Sequence, residues 1–357
     1  MTKLTPLPLI FIGIGLLAGR ALAQTDTPYK VLDTAQIMGN GGIDYVYADK
    51  DGRRVYVPRG SSTFVFDLDS HKYVGAITNI SGRGVAIDTA SHHGISSSSP
   101  LGMFDTETMQ KIKGIDVTGR PDGILREPFT GKILILSHSA PSITLVDPKD
   151  GAVAGTIDVG GAMEQAQSDG QGKLYVDVED ENKIAVVDMK TLKVITKYDL
   201  GDKGEGPSGL GLDVKNHILF AMCHSQNCIV LNADDGKVLA TLPIGNGTDG
   251  GGFNPNTMEA FSSQGDGTLT IIKENSPTSF AVEQTVTTKQ GCKTCSLDSK
   301  NNQIIVVCTE RAPQAAASTT NAPAPAPNGP AGGGRRGGGR GGGRGGPGNL
   351  DVLWVGR

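Results

Sequence analysis

The sequence predicts an all-β fold, a seven-bladed β-propeller with four antiparallel strands per blade and a ring closed by the N-terminal strand. Three observations support this prediction. A pattern of four short β-rich runs recurs about every forty residues from residue 42 onward. Glycine, aspartate, asparagine and proline separate the runs, and no stretch has a helical period. A run left over near the N-terminus matches a run that is missing at the C-terminus.

The first unit shows the pattern most clearly. Residues 42–49 end in an aspartate, a turn leads to 54–57, the run 63–67 again ends in aspartate, and 72–77 completes the unit. Further units begin near Gly82, Pro121, Glu164, Ser208, Asp249 and Gly291. A sheet of four such strands cannot bury both of its faces alone, so the sheets are expected to stack radially around a channel. Ser96 to Ser99 stand where the second unit should have an apolar strand, which makes that blade the least regular.

The two ends of the chain predict how the ring closes. The seventh unit ends at Val352 to Val355 and lacks a fourth strand, while Tyr29 to Asp33 have the character of the fourth strands elsewhere. Pairing these two runs would leave no free sheet edge at the seam.

The first 23 residues predict a secretory signal peptide. Lys3 precedes an apolar run, 7–18, and Ala21-Leu22-Ala23 forms a small-residue cleavage site. Cleavage after Ala23 would leave residues 24–357 as a secreted or periplasmic propeller without a transmembrane anchor. The alternative is an uncleaved anchor, because Arg20 lies unusually close to the cleavage site.

The charge balance argues against a nucleic-acid-binding body. The formal net charge is -4 at pH 7. Removing Lys3 and Arg20 would make the chain more acidic. The arginines of residues 312–349, a segment rich first in Ala and Pro and then in Gly and Arg, cannot belong to the folded body. This segment is predicted to be a disordered insertion in the last blade. A specific nucleic-acid partner is therefore not expected.

Several short sequence segments resemble those of a known family. Residues 54–57, 185–188 and 236–245 are similar to the repeats of the YVTN-repeat β-propeller family, the YncE-like group of exported proteins. The resemblance covers Tyr29 to Arg357. It implies the propeller fold and export, and for function it implies mostly binding or uncharacterised roles with no catalytic motif to transfer.

Alignment of the units places one residue of each innermost strand at the same height by the channel mouth. These residues are Asp44, Arg83, Asp122, Glu164, Ser208, Asp249 and Lys293. The ends of the second strands add Arg59, His138, Glu179, Asp180, His224 and Glu310 near the same face. Convergent polar groups of this kind suit a polar ligand, and the alternative is a set of charge pairs that fixes the starts of the blades. No regular metal-ligand spacing occurs, so no metal site or cofactor is predicted, although the carboxylates leave a divalent cation open.

The cysteines predict disulfides. Cys223 and Cys228 flank four residues between two strands, so a bridge between them is expected. Cys308 is expected to bridge to either Cys292 or Cys295. The Cys-x-x-Cys at 292–295 lacks the following histidine of a haem attachment site and enters a strand, which disfavours a thioredoxin-like redox pair.

Two functions are compatible with these residues. The first is an exported, monomeric binding or scaffold protein that presents the charged mouth to an unknown small ligand or cell-envelope partner. The alternative is a metal-dependent hydrolase or lyase of lactonase or cyclase type, using Asp44, Asp122, Glu164, Asp249 and a histidine of the rim. The first is favoured because neither a nucleophile-elbow nor a zinc-protease motif occurs, and Gly250-Gly251-Gly252 predicts a turn rather than a phosphate-binding loop.

Overall fold

Seven four-stranded antiparallel sheets arranged in a ring make up the computed structural model, which describes residues 27–311 and 347–357. The predicted seven-bladed propeller is confirmed. The predicted signal peptide, and residues 312–346 of the predicted insertion, lie outside the described residues. Within the described ranges, no helix has the length and apolar character needed to cross a membrane.

The strands follow the chain blade by blade, from the innermost strand outward. The first strand, β1 (Lys30–Gly39), belongs to the last blade. Blade 1 contains β2 (Tyr47–Asp49), β3 (Arg54–Arg59), β4 (Ser62–Asp67) and β5 (Tyr73–Thr78). Blade 2 contains β6 (Val85–Asp88), β7 (His93–Ser96), β8 (Leu101–Asp105) and β9 (Gln110–Ile115). Blade 3 contains β10 (Pro121–Glu127), β11 (Lys132–Ser137), β12 (Ile143–Val146) and β13 (Val153–Ile157).

The remaining blades repeat this order. Blade 4 contains β14 (Met163–Ser168), β15 (Lys173–Val178), a 3-10 turn (Glu179–Glu181), β16 (Lys183–Asp188) and β17 (Lys193–Asp199). Blade 5 contains β18 (Pro207–Asp213), β19 (Ile218–Cys223), β20 (Asn227–Asn232) and β21 (Val238–Pro243). Blade 6 contains β22 (Thr248–Asn254), β23 (Glu259–Gln264), β24 (Thr268–Ser276) and β25 (Ser279–Thr287). Blade 7 contains β26 (Thr294–Asp298), β27 (Gln303–Arg311), β28 (Gly348–Gly356) and, at its outer edge, β1.

The recurring polar residue at strand ends, most often an aspartate, caps the following turn. We call the face where the innermost strands begin the upper face, and the opposite one the lower face. On the lower face Asp67 Oδ1 accepts hydrogen bonds from the backbone N–H groups of Asp69 and Ser70, at 3.2 and 2.7 Å. Such a local bond fixes the turn without long-range contacts, which is why it leaves a readable sequence pattern. Equivalent caps are made by Asp49, Asp88, Asp105, Glu127, Asp147, Asp188, Asp213, Asn232, Asn254 and Asp298.

The core consists of apolar layers between neighbouring blades. Leu134 and Leu145 of blade 3 pack with Val176 and Val187 of blade 4 in one such layer. Because each sheet covers the next, the core runs continuously around the ring.

Ring closure follows the predicted seam. β1 pairs antiparallel with β28, and Val31 lies opposite Val355. The strand extends to Gly39, six residues further than the sequence predicts. β28 begins at Gly348, so Gly348 and Asn349 belong to the sheet rather than to the predicted insertion.

Blade 2 is complete despite its serines. β7 ends at Ser96, and both Ser96 and Ser97 are buried. The Ser96 hydroxyl donates to the Ser81 carbonyl at 2.9 Å, and Ser97 Oγ accepts from the Gly84 N–H at 2.9 Å. Small hydroxyl side chains therefore occupy core positions here because the backbone satisfies their hydrogen bonds.

The predicted Cys223–Cys228 disulfide is wrong, because both residues are free and buried thiols. Cys223 lies opposite Asn227, so Cys228 lies opposite Met222. Cys223 therefore faces the blade 4 side of the sheet and Cys228 the blade 6 side. The third strand of blade 5 starts at Asn227, one residue earlier than expected, and a shift of one residue moves each side chain to the opposite face of the sheet. The structure instead joins Cys308 to Cys292, the first of the two predicted alternatives.

The triple glycine at 250–252 lies inside β22, so the predicted turn is wrong. A Cβ atom on Gly209 would lie 2.8 Å from the carbonyl carbon of Gly250, and one on Gly211 would lie 2.9 Å from that of Gly252. The innermost strands of blades 5 and 6 therefore approach backbone to backbone, which only glycine permits.

Replacing Gly211 by alanine is expected to destabilise the protein by about 2 kcal/mol, because the added methyl group meets backbone atoms that cannot rotate away. Denaturant unfolding measures this loss. Gly155→Ala is the matched control, since its Cβ meets only Leu192 Cδ1 at 3.4 Å and should change stability by less than about 0.5 kcal/mol. Equal stability of the two variants would contradict the close approach of blades 5 and 6.

Candidate functional site

The charged mouth lies on the upper face, and irregular backbone aims its side chains there. The pairing register shifts between Pro121 and Ile124 in β10 and between Met163 and Ala166 in β14. Asp122 and Glu164 lie inside these two bulges. A bulge interrupts the strict alternation of strand faces and turns a side chain in a new direction. Ser208 and Asp249 lie in comparable irregularities of β18 and β22.

One half of the mouth is a chain of alternating charges. Lys293 pairs with Asp249 and lies 3.8 Å from Asp44. Arg83 Nη1 donates to Asp44 Oδ2 at 2.7 Å and lies 3.0 Å from Asp122 Oδ1. Burial raises the pKa of Asp44, and the neighbouring Asp122 carboxylate acts in the same direction. These pairs link blades 6, 7, 1, 2 and 3 in sequence around the channel.

The other half is built around histidine. His138 Nε2 lies against Asp122 and 3.0 Å from Glu164 Oε1, so two blades meet at one imidazole. The carboxylates of Asp122 and Glu164 stabilise the protonated ring and raise the pKa of His138 to about 10. Burial raises the pKa of Glu164, whose second oxygen accepts a hydrogen bond from the Tyr45 hydroxyl at 2.9 Å.

The chain of side chains continues into blades 4 and 5. The Glu179 carboxylate lies beside that of Glu164, and His224 Nε2 lies 3.3 Å from Glu179 Oε1. The hydrogen bond to His224 lowers the pKa of Glu179. Asp177, on β15, is fully buried near both glutamates, and burial raises its pKa. Blades 3 and 4 thus contribute an excess of carboxylates to their part of the mouth.

Of the seven residues predicted on the innermost strands, six lie in this chain of contacts and Ser208 lies apart. Of the six predicted at the ends of the second strands, His138, Glu179 and His224 join it. Ser208 is 2% exposed and donates its hydroxyl to the Thr248 carbonyl at 3.1 Å. Arg59 is also buried, and its guanidinium donates hydrogen bonds to the carbonyl oxygens of Gly41 and Gly348, at 3.0 Å each. Arg59 therefore fixes the start of β28 at the upper face.

Two cavities adjoin the mouth. The channel itself forms a cavity of about 430 Å³, in which Gln165 reaches from blade 4 to the Leu210 N–H at 2.9 Å and the Gly251 carbonyl at 3.0 Å. These bonds satisfy backbone groups on the inner edges of blades 5 and 6. A second cavity, of about 660 Å³, lies beside the Asp44–Arg83 pair and is lined also by Ser61 and Arg59.

Sequence reasoning missed three side chains of this region. Tyr45 follows the predicted Asp44 directly, and nothing in its local sequence distinguishes it from a core aromatic residue. Gln165 likewise follows Glu164. Asp177 did carry a signal, because it is an ionisable residue inside the apolar run of β15.

Comparison with known proteins defines the class. No family model matches the sequence, and no curated protein matches it either. Among solved structures, a chain of "Crystal Structure of Mitotic Checkpoint Complex" is similar with a TM-score of 0.67 and 13% identity, over 84% of this chain and 96% of that one. "Structure of U3-55K" is similar with a TM-score of 0.66 and 10% identity, over 78% of this chain and 92% of that one. At these identities the likeness concerns the fold alone, and the protein is a seven-bladed β-propeller.

Proposed function

We propose that the protein is an exported binding protein of the YVTN-repeat type that holds a polar ligand or partner at the charged mouth of its channel. The observation that carries the proposal is the continuous run of charged side chains around the mouth. Every blade contributes to this run. Blade 5 contributes His224, because its innermost-strand residue, Ser208, is buried. Export rests on the signal-like residues 1–23, and membership of the family rests on the repeat phrases.

The geometry of the mouth supports binding rather than a purely structural role. The ion-paired groups remain accessible, since the side chains of Arg83, Lys293 and Asp249 are 27, 40 and 18% exposed. A ring that served only to fix the blades would need no adjoining cavity. Here the cavity beside Asp44 and Arg83 provides room for a ligand whose charged groups exchange with the existing pairs.

The alternative function is a metal-dependent hydrolase or lyase, and only some of the residues predicted for it lie together. Asp122, Glu164 and His138 lie together. Asp44 and Asp249 are separate from them, because Arg83 and Lys293 hold these two carboxylates.

Photo-crosslinking in the producing cells tests the proposal. A photoreactive residue at Ser61, which is exposed on the upper face, is expected to give a defined adduct. This adduct should disappear when Arg83→Gln interrupts the run of charged side chains between Asp44 and Asp122. Thr89, exposed on the lower face, is the matched control position and should give none. N-terminal mapping of the same preparation should find Gln24 first. Adducts from Thr89 alone, adducts unaffected by Arg83→Gln, or an unprocessed intracellular chain would each contradict the proposal.

A further inference from the structure

Three donor atoms from two blades converge beside the channel. Asp122 and Glu164 come from innermost strands, and His138 follows β11. Their ligand atoms all lie within 4.8 Å of one another. Donor atoms bound at about 2.1 Å to one ion lie roughly 3.0 to 3.4 Å apart, and His138 Nε2 to Glu164 Oε1 is 3.0 Å. Small side-chain rotations therefore bring all three to coordination distance.

The three donor atoms lie close to one another without regular hydrogen bonds between them. His138 Nε2 is buried and makes no hydrogen bond of regular geometry among the described residues, although it lies against Asp122 and 3.0 Å from Glu164 Oε1. Asp122 is 2% exposed, and its Oδ2 is the oxygen that lies against the imidazole. Buried polar atoms without hydrogen-bond partners are rare and require an explanation, of which a bound ion is one.

In Asp122 and in Glu164, one carboxylate oxygen contacts a neighbouring side chain other than His138. Arg83 lies at Asp122 Oδ1, and the Tyr45 hydroxyl donates to Glu164 Oε2 at 2.9 Å. Asp122 Oδ2 and Glu164 Oε1 are left facing His138. Outer groups that orient the ligands in this way are characteristic of metal sites.

The surrounding charge favours a cation. Arg83 lies 3.0 Å from Asp122, but Glu179 and Asp177 lie near Glu164, and within the described ranges no lysine or arginine forms an ion pair with these last three carboxylates. An imidazole nitrogen together with two carboxylate oxygens suits first-row transition ions, whereas Ca²⁺ and Mg²⁺ prefer oxygen alone.

We propose that Asp122, His138 and Glu164 bind a divalent first-row transition-metal ion, with Tyr45 and Arg83 as positioning residues. The inference deepens the proposed binding function, because three protein ligands leave coordination positions open toward the mouth for a donor atom of the bound molecule.

Titration calorimetry of the chelator-treated protein with Zn²⁺ tests the site, and Co²⁺ absorption reports its coordination. One ion per chain is expected. His138→Gln should weaken Zn²⁺ binding at least about 100-fold, and Tyr45→Phe about 10-fold with the Co²⁺ spectrum altered. His217→Gln is the matched control, since His217 pairs with Asp234 at 2.8 Å on the lower face and its loss should leave affinity unchanged. Ca²⁺ should compete poorly.

Several results would overturn the site: no stoichiometric Zn²⁺ binding, equal affinity of the His138→Gln and His217→Gln proteins, or Ca²⁺ binding as tightly as Zn²⁺. Circular dichroism and melting of each variant identify any loss of fold. Crosslinking from position 61, repeated with and without chelator, separates this inference from the proposed function. A persistent adduct in a protein that binds no metal would end the metal site while leaving the binding function standing.

Discussion

Deleting Tyr29 to Gly39 is expected to cost at least about 5 kcal/mol and to leave most of the protein unfolded, since ordinary domains have only about 5 to 15 kcal/mol of stability. The deletion removes β1 from the edge of blade 7 and exposes the full length of β28. It also removes the buried Tyr29, whose hydroxyl donates to Glu259 at 2.6 Å and whose ring lies 4.5 Å from the Arg357 guanidinium. Thermal and urea unfolding measure the loss.

The control is a chain shortened only through Pro28. Thr27 and Pro28 are exposed, so this protein should melt like the unshortened chain. A chain lacking β1 that kept its melting temperature would show that the seam is not held by this strand.

Removing the Cys292–Cys308 disulfide is expected to lower stability by about 3 kcal/mol. The bridge joins residues 16 positions apart, and a closed loop of about 15 residues restricts the unfolded chain by about that amount. Both sulfur atoms are buried in the layer between blades 6 and 7, so alanine at both positions also removes some packing. Urea unfolding of the Cys292→Ala/Cys308→Ala protein, with and without reductant, measures the effect.

Reductant should destabilise the unmodified protein and leave the stability of the Cys292→Ala/Cys308→Ala protein unchanged. Cys223→Ala serves as the matched control: it loses a buried thiol but should keep its response to reductant, because Cys223 is unbridged. Cys295 is not expected to replace a missing partner readily, since burial raises its pKa to about 11 and keeps the reactive thiolate scarce. An unmodified protein indifferent to reductant would contradict the bridge.

The seam and the disulfide lie in the same blade, which is assembled from the two ends of the chain. Blade 7 takes β1 from the N-terminus and β26 to β28 from the C-terminus. Trp354 of β28 packs against Phe66 of blade 1, with ring centroids 6.4 Å apart, and stacks on His71 at 4.4 Å. Arg59 then ties β28 to the loop at Gly41. Stability at the point of closure therefore rests on contacts between residues far apart in sequence.

The sequence by itself determined the number of blades, their strand order and the seam. These features depend on local chemistry that repeats: an apolar strand, an aspartate that caps the next turn, and a fixed period. The aspartate at the end of a strand bonds N–H groups two and three residues later, so it acts before any distant contact forms. Because the repeats can be aligned, the sequence also indicated which residues share the level of the channel mouth.

Only the tertiary structure decided how those residues meet. Asp122, His138 and Glu164 converge because bulges in two strands turn their side chains toward one point, and a bulge has no signature in this sequence. A difference of one residue in the turn after Cys223 placed Cys228 on the opposite face of its sheet. Gly250 to Gly252 form a strand because blade 5 presents glycines at the same level, so two backbones come into contact where a turn was predicted. In each case the outcome depends on distances between separate blades, and those distances are fixed only when the ring closes.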